Sequence, residues 1–165
     1  MELRLRFRDL EPNDLSDLDW SGGSEHLGAV AAALEASYAG DVVVLVGSLS
    51  NDRLIALGGV DFRPSQDAGT IWMLAVHERL QSLGAGAELI TALERKIIDH
   101  GRSLARMLVE HDNPRARALY ERIGYTEAGA ALDSWPVAGG RTYVTACTIM
   151  ERRLIEIPSD EATPD

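Results

Sequence analysis

A chain of 165 residues, 45% apolar and 25% charged, suits one domain with a core of its own and excludes a disordered, collagen-like or disulfide-scaffold protein. Its longest apolar runs, such as Val42–Val46, fall far short of the ~20 residues of a membrane span, and the charged start Met1–Arg8 does not read as a secretory signal, so a cytoplasmic protein is expected. The net charge of −10 speaks against nucleic acid as a partner, and the single Cys147 offers neither an internal disulfide nor a cysteine-based metal site, so no metal is expected.

Along the chain, Leu3, Leu5 and Phe7 alternate with Arg4, Arg6 and Arg8, the period of a strand with one wet face. Asp9–Trp20 is acidic and aperiodic, with a short helix expected after Pro12. Ser24 is placed to cap a helix in which Leu27, Ala31, Leu34 and Tyr38 share one face. Val42–Leu49 and Arg53–Phe62 read as strands joined by a Ser50-Asn51-Asp52 turn, and Thr70–Val76 as a third. The period then changes: Leu89, Leu93 and Ile97, flanked by Ile90 and Ile98, predict a helix stopping near Gly101. Leu104–Val109 returns to strand, and Asn113-Pro114 opens a helix that Gly124 closes. Tyr125–Ala128 and Arg141–Leu154 are the last strands, joined by a loop through Trp135-Pro136 and Gly139-Gly140. A single domain over residues 1–157 is expected, with acidic Pro158–Asp165 as a disordered tail. This order predicts an α+β protein with a mixed sheet, not the strict alternation of a doubly wound dinucleotide fold.

The segment Val76–Gly86 carries the most information. It joins a strand to a helix, and Gly84 and Gly86 let the backbone turn tightly and a ligand approach. The helix N-terminus adds unpaired N–H groups and the positive end of its dipole, together a site for a pyrophosphate. Ala87-Glu88 stands where a phosphate-loop motif needs Lys-Ser/Thr, and Leu89 where a dinucleotide fingerprint needs a third glycine. Taken alone, such a helix entry is also an ordinary turn. A second pattern lies downstream: Asn113, Ala116, Tyr120 and Gly124 fall on one helical stripe. Alone, Tyr120 also reads as a core aromatic and Asn113 as a cap.

The two patterns together resemble the GNAT N-acetyltransferase superfamily. Gln81-Ser82-Leu83-Gly84-Ala85-Gly86 is similar to its Gln/Arg-x-x-Gly-x-Gly/Ala loop, and Thr70–Val76 to the strand before it. Asn113-Pro114-Arg115-Ala116 through Tyr120 to Gly124-Tyr125 is similar to its Asn-x-x-Ala-x-x-x-Tyr-x-x-x-Gly-Phe/Tyr motif. Arg8–Asp14 resembles the family's opening strand and turn, so the likeness runs to about Leu154. Glu78 stands where the family often has proline and Ser82 where it often has glycine; neither change removes a backbone amide. The resemblance implies a three-layer α/β/α fold around a mixed, mostly antiparallel sheet of about seven strands.

The resemblance also implies roles. Backbone amides of Gln81, Ser82, Leu83, Gly84, Ala85 and Gly86 would hold the pyrophosphate of acetyl-CoA. The main chain of Leu74, Ala75 and Val76 would pair with the pantetheine arm, the Leu74 amide polarising the acetyl carbonyl. Asn113 would bond the pantetheine, small Ala116 would let it pass, and Tyr120 would protonate the leaving thiolate. The base is open: Glu110 and His111 come first and Asp61 third, any of them acting directly or through water. The acceptor pocket would come from Asp17–Tyr38 and Ala130–Tyr143, which hold Trp20, Tyr38, Trp135, Tyr143 and several acids. That lining suits a small cationic amine. Between Val76 and Tyr125 eight Lys/Arg stand against seven Asp/Glu, so the remainder carries −11, which would attract a cation but also serves solubility. A protein N-terminus or lysine as acceptor, and a non-catalytic acyl-CoA-binding module, are the other readings. The resemblance allows a homodimer, which no sequence feature fixes.

Overall fold

The computed structural model describes residues 4–154. β1 (Arg6–Asp9) leads through two 3-10 turns (Pro12–Asp17 and Asp19–Ser21) into α1 (Ser24–Tyr38). β2 (Val42–Ser48), β3 (Leu54–Asp61) and β4 (Ala68–Val76) follow as a meander. A 3-10 turn (Glu78–Leu80) then enters α2 (Ala85–Asp99), followed by β5 (Leu104–Glu110), α3 (Pro114–Ile123), β6 (Thr126–Val137) and β7 (Arg141–Arg153). The seven strands form one sheet in the order β1-β2-β3-β4-β5-β7-β6. Every neighbouring pair is antiparallel except β4 and β5, so the α+β mixed-sheet expectation holds. The Pro158–Asp165 tail and Leu3 of the first strand pattern lie outside the described residues.

Helices cover both faces. Leu89, Ile90, Leu93 and Ile97 of α2 bury against Leu45, Ile55, Val60, Ile71, Met107 and Met150 of the sheet, and Ala116, Tyr120 and Ile123 of α3 join that layer. Val30, Ala33 and Leu34 of α1 pack with Leu10 and Leu18 on the other face of β2 and β3. Burying one such aliphatic side chain contributes about 1.5–3 kcal/mol.

Three expectations are corrected. Gly23, not Ser24, is the N-cap of α1, with no side-chain cap bond; Ser24 is already helical. The buried stripe of α1 runs through Val30, Ala33 and Leu34, and Tyr38, at its end, is 65% exposed. The loop expected through Trp135-Pro136 is strand: β6 continues to Val137 in register with β7, and only the turn at 138–140 is irregular. Proline is tolerated there because β6 is the sheet edge.

The feature that positions the site is the junction of β4 and β5. The two strands pair only at Ala68–Thr70 with Leu104–Arg106 and then part, leaving the inner edges of Ile71–Val76 and Met107–Glu110 without a strand partner among the described residues. A bulge falls on β4 just past the junction: Trp72 faces Gly59 and Ala75 faces Leu57, so Met73 and Leu74 stand opposite Gly58 alone. Met73 takes φ +56°, a left-handed conformation that costs about 1–2 kcal/mol in a side-chain-bearing residue. Strain of this kind clusters where a protein must aim a backbone group.

Candidate active site

The strand-to-helix loop after β4 is built from local bonds. His77 Nδ1 accepts from the Arg79 amide at 3.3 Å, and the Gln81 side chain donates to the Val76 carbonyl at 3.2 Å. Gly84 caps α2 at φ +83°, the left-handed region that glycine enters without cost, with open space where a Cβ would stand. No side chain among the described residues caps α2, so its first-turn N–H groups lack that acceptor. Arg115 of α3 donates to Ser82 Oγ at 3.3 Å, joining the loop to the start of α3. Two helix N-termini and one arginine therefore converge at one end of the β4–β5 opening.

On α3, Asn113 caps the helix, its Oδ1 accepting from the Ala116 amide at 3.1 Å. This leaves the Asn113 amide nitrogen for a ligand. Tyr120 sits two turns on, its ring 6.3 Å from that of Tyr125. Burial pushes its phenol above the ordinary tyrosine value, so it is a protonated donor at neutral pH, and its hydroxyl has no hydrogen-bond partner among the described residues.

Beneath the opening, on the α1 side, lies a cavity of about 640 Å³. Its wall includes the bulged stretch Trp72–Leu74, Leu108 of β5 and Tyr120. Glu25 and His26 of α1, Asp61 of β3, and Asp133 and Trp135 of β6 complete it. Asp61 is engaged by the Arg63 guanidinium through two bonds of 2.9 and 3.0 Å, so Glu25 and Asp133 carry the negative charge without a cation among the described residues.

The structure brings Leu74 and Tyr120 to one cavity, with Ala75, Val76, the Gln81–Gly86 loop, Asn113 and Ala116 along the same opening. Other candidates stand elsewhere. Glu110 is beside Cys147 on the face it shares with Asp133, one step behind the cavity wall. Its Oε1 is buried without a partner, and burial, then the charges on Asp112 and Asp133, raise its carboxyl above the ordinary value. His111 is exposed beyond β5 and is not on the wall. Tyr38 lies at the far end of α1, and Trp20 packs in the α1-side core against His77 at 5.6 Å; of the four aromatics expected in the pocket, Trp135 lines it, with the Tyr143 ring tilted against it at 5.0 Å. No sequence motif marks His26, Trp72, Asp133 or Arg115 as a site residue. Alternation along β4 puts Thr70 and Trp72 on the face opposite Ile71, a signal that could have found Trp72.

Residues 11–125 match the family profile described as Acetyltransferase (GNAT) family. The chain belongs to this family. It is an acyl-CoA-dependent N-acetyltransferase, of a family that uses acetyl-CoA. The residues fit that ligand: uncapped amides and Arg115 for the phosphates, and an unpaired strand edge for an amide-bearing arm. Among solved structures, the fold is similar to a spermidine N-acetyltransferase chimera from Vibrio cholerae and hSSAT, with TM-score 0.73, 18% identity, and 91% of this chain and 95% of that one covered. It is also similar to yncA, a putative acetyltransferase from Salmonella typhimurium solved with its cofactor acetyl-CoA, with TM-score 0.71, 19% identity and coverage of 96% and 99%. The ribosomal-protein-S18-alanine N-acetyltransferase from Escherichia coli has TM-score 0.65, 20% identity and coverage of 95% and 98%. No described helix is long and apolar enough to cross a membrane.

Proposed function

We propose that this GNAT domain acetylates a small cationic primary amine. The observation that supports this most is the cavity itself. The wall on β4 and α3 carries Trp72, the bulged Met73–Leu74 backbone and the unpartnered Tyr120 hydroxyl, and α1 and β6 add Glu25, Asp133 and Trp135. Carboxylates attract an ammonium, and indole faces bind it by cation–π attraction. A neighbouring fold named as a spermidine N-acetyltransferase chimera is in keeping with this reading.

Acetyl-CoA, when bound, supplies a thioester whose acyl carbon an amine can attack. The Gln81–Gly86 amides and Arg115 hold its phosphates, Asn113 donates its side-chain amide to the arm, and Ala116 leaves room for it. The edges of Leu74, Ala75 and Val76 align the arm as an added strand. The Leu74 amide, aimed by the bulge, donates to the oxygen that gains charge during attack; one such donor is worth about 2.7–4 kcal/mol. Tyr120 holds a proton for the departing sulfur, which its raised phenol keeps at working pH. Glu110, reached through water, passes the proton of the incoming ammonium to solvent.

The test is direct. Purified protein with acetyl-CoA and a panel of small amines, read by mass spectrometry, should give a monoacetylated diamine such as that from 1,4-diaminobutane. Tyr120→Phe should cut kcat about 100-fold while acetyl-CoA still raises the melting midpoint. Acetylation of peptides but of none of the amines would overturn the small-amine reading; no midpoint shift at millimolar acetyl-CoA would overturn the cofactor assignment.

The homodimer is likewise proposed, through the β6–β7 hairpin. Among the described residues β6, 12 residues long, has an unpaired outer edge, and Leu132 and Val144 stand 75% and 58% exposed on the hairpin. A second copy pairing edge to edge would satisfy the outer backbone groups of β6, because a two-fold contact matches a patch with itself.

A further inference from the structure

The acceptor nitrogen must shed two protons between ammonium and amide, and the roles above account for one. We infer that His26 takes the second, as the catalytic base on the acceptor side of the cavity. The inference rests on the small-amine reading of that cavity.

His26 is the imidazole on the cavity wall, placed on the first turn of α1. A two-bond relay fixes its tautomer. Ser21 Oγ has one proton and donates it to the Leu18 carbonyl at 2.6 Å. At 2.9 Å from His26 Nε2, that oxygen can therefore only accept, so Nε2 carries the hydrogen. The open lone pair then belongs to Nδ1, which has no hydrogen-bond partner among the described residues. This is the arrangement by which one ring nitrogen, held by a fixed acceptor, sets the other as a base. Gly22 is part of it: a Cβ there would lie 2.7 Å from the His26 ring carbons, so only glycine lets the ring settle against the turn that carries Ser21.

The electrostatics agree. Burial holds the imidazole below its ordinary value near 6.5, so the ring enters the reaction neutral. Around it on the same cavity stand Glu25 from its own helix, Asp61 from β3, Asp133 from β6 and the Tyr120 phenol from α3, with Glu110 behind Asp133. Glu25 and Asp133, which carry no cation of their own among the described residues, stabilise the imidazolium once it forms. A free alkylammonium, near 10.4, is too weak an acid to give its proton to such a ring. A nitrogen already bonded to the acyl carbon is a far stronger acid.

The step balances. The ammonium loses its first proton to solvent by way of Glu110, and the free amine attacks the acyl carbon, forming the C–N bond. Nδ1 of His26 takes the second proton from that nitrogen as the C–S bond breaks. Tyr120 protonates the leaving thiolate and regains its proton from solvent, to which His26 returns its own. One amine cation and one thioester become an amide, a thiol and one released proton.

The experiment compares wild type, His26→Gln and Ser21→Ala with acetyl-CoA and 1,4-diaminobutane across pH 5–9, alongside nitrogen-15 spectra of the imidazole in the ligand-free protein. The expected His26→Gln protein has a melting midpoint and acetyl-CoA midpoint shift like wild type. Its kcat falls about 100-fold, and it has lost the acid limb of the kcat/KM profile that wild type shows below pH 6.5. The wild-type spectra should show His26 protonated on Nε2 alone at neutral pH, and Ser21→Ala should mix the two tautomers with a smaller loss of kcat. Retention of both kcat and the acid limb in His26→Gln would overturn this inference and leave the acetyltransferase reading standing, as would an Nδ1–H tautomer in wild type. A wild type that turns over no amine would overturn the small-amine reading, and this inference with it.

Discussion

Glu94 carries a carboxylate into the core, where its partners decide what its burial costs. It is 5% exposed on α2, yet its carboxylate is fully engaged: Tyr125 donates to Oε2 at 2.8 Å, and Arg152 donates to both oxygens at 2.9 and 3.1 Å. The triad ties α2 to β7 and to the residue that follows α3, whose ring also packs against Tyr120. Removing one partner leaves a buried carboxylate short of hydrogen bonds, and solvent at the partly exposed Arg152 screens part of the loss, so Arg152→Met should cost about 1–3 kcal/mol in urea unfolding, whereas Tyr125→Phe should cost about 1 kcal/mol. Asp14 gives a pH-dependent counterpart. Arg8 donates to it at 2.7 and 2.8 Å and the Glu11 amide at 2.8 Å, and the Arg8 bonds above all hold its carboxyl below the ordinary value. Since its folded value is the depressed one, its contribution is present in full above the unfolded value near 3.9 and is lost as pH falls through the folded value. Asp14→Ala should therefore destabilise by about 2 kcal/mol at pH 7, and the difference from wild type should shrink steadily below about pH 4. Equilibrium unfolding at both pH values checks it.

Elements whose information is local were legible in the sequence. Asn113-Pro114 and Gly124 mark both ends of α3, and the glycines after β4 mark the start of α2, because capping and left-handed turns depend on a few adjacent residues. Gly84→Ala should accordingly cost about 1 kcal/mol through its positive φ alone and weaken acetyl-CoA binding, both readable by calorimetry. What was not legible depends on packing. The buried face of α1 is chosen by β2 and β3, so Tyr38, in step with Leu27 and Leu34 by spacing, ends up in solvent. The extension of β6 through Pro136 follows from its place at the sheet edge, which no local pattern states. The cavity wall draws on α1, β3, β4, β5, α3 and β6, so His26, Trp72 and Asp133 meet only once the chain is folded. His26 in particular depends on Ser21 and Gly22, and a histidine five residues after a serine has no signature in sequence.

At the scale of the whole molecule, the acidic balance and the exposed hairpin make two separate claims. If the net charge of −10 draws the cationic acceptor in, kcat/KM for a diamine should fall as salt rises from 50 to 500 mM while the acetyl-CoA midpoint shift changes less. If the β6–β7 hairpin joins two copies, Leu132→Glu should convert the dimer to monomer in sedimentation velocity without lowering the melting midpoint of the isolated fold.

The parting of β4 from β5 has a mechanical meaning. Three residue pairs form the backbone seam between a four-stranded half and a three-stranded half, and everything beyond them is held by helices and side chains. A ligand laid along the gap acts as a rivet across that seam. The free protein should then breathe there first, with amides along the inner edges of Ile71–Val76 and Met107–Glu110 exchanging hydrogen fastest within the sheet, and acetyl-CoA should slow both edges together.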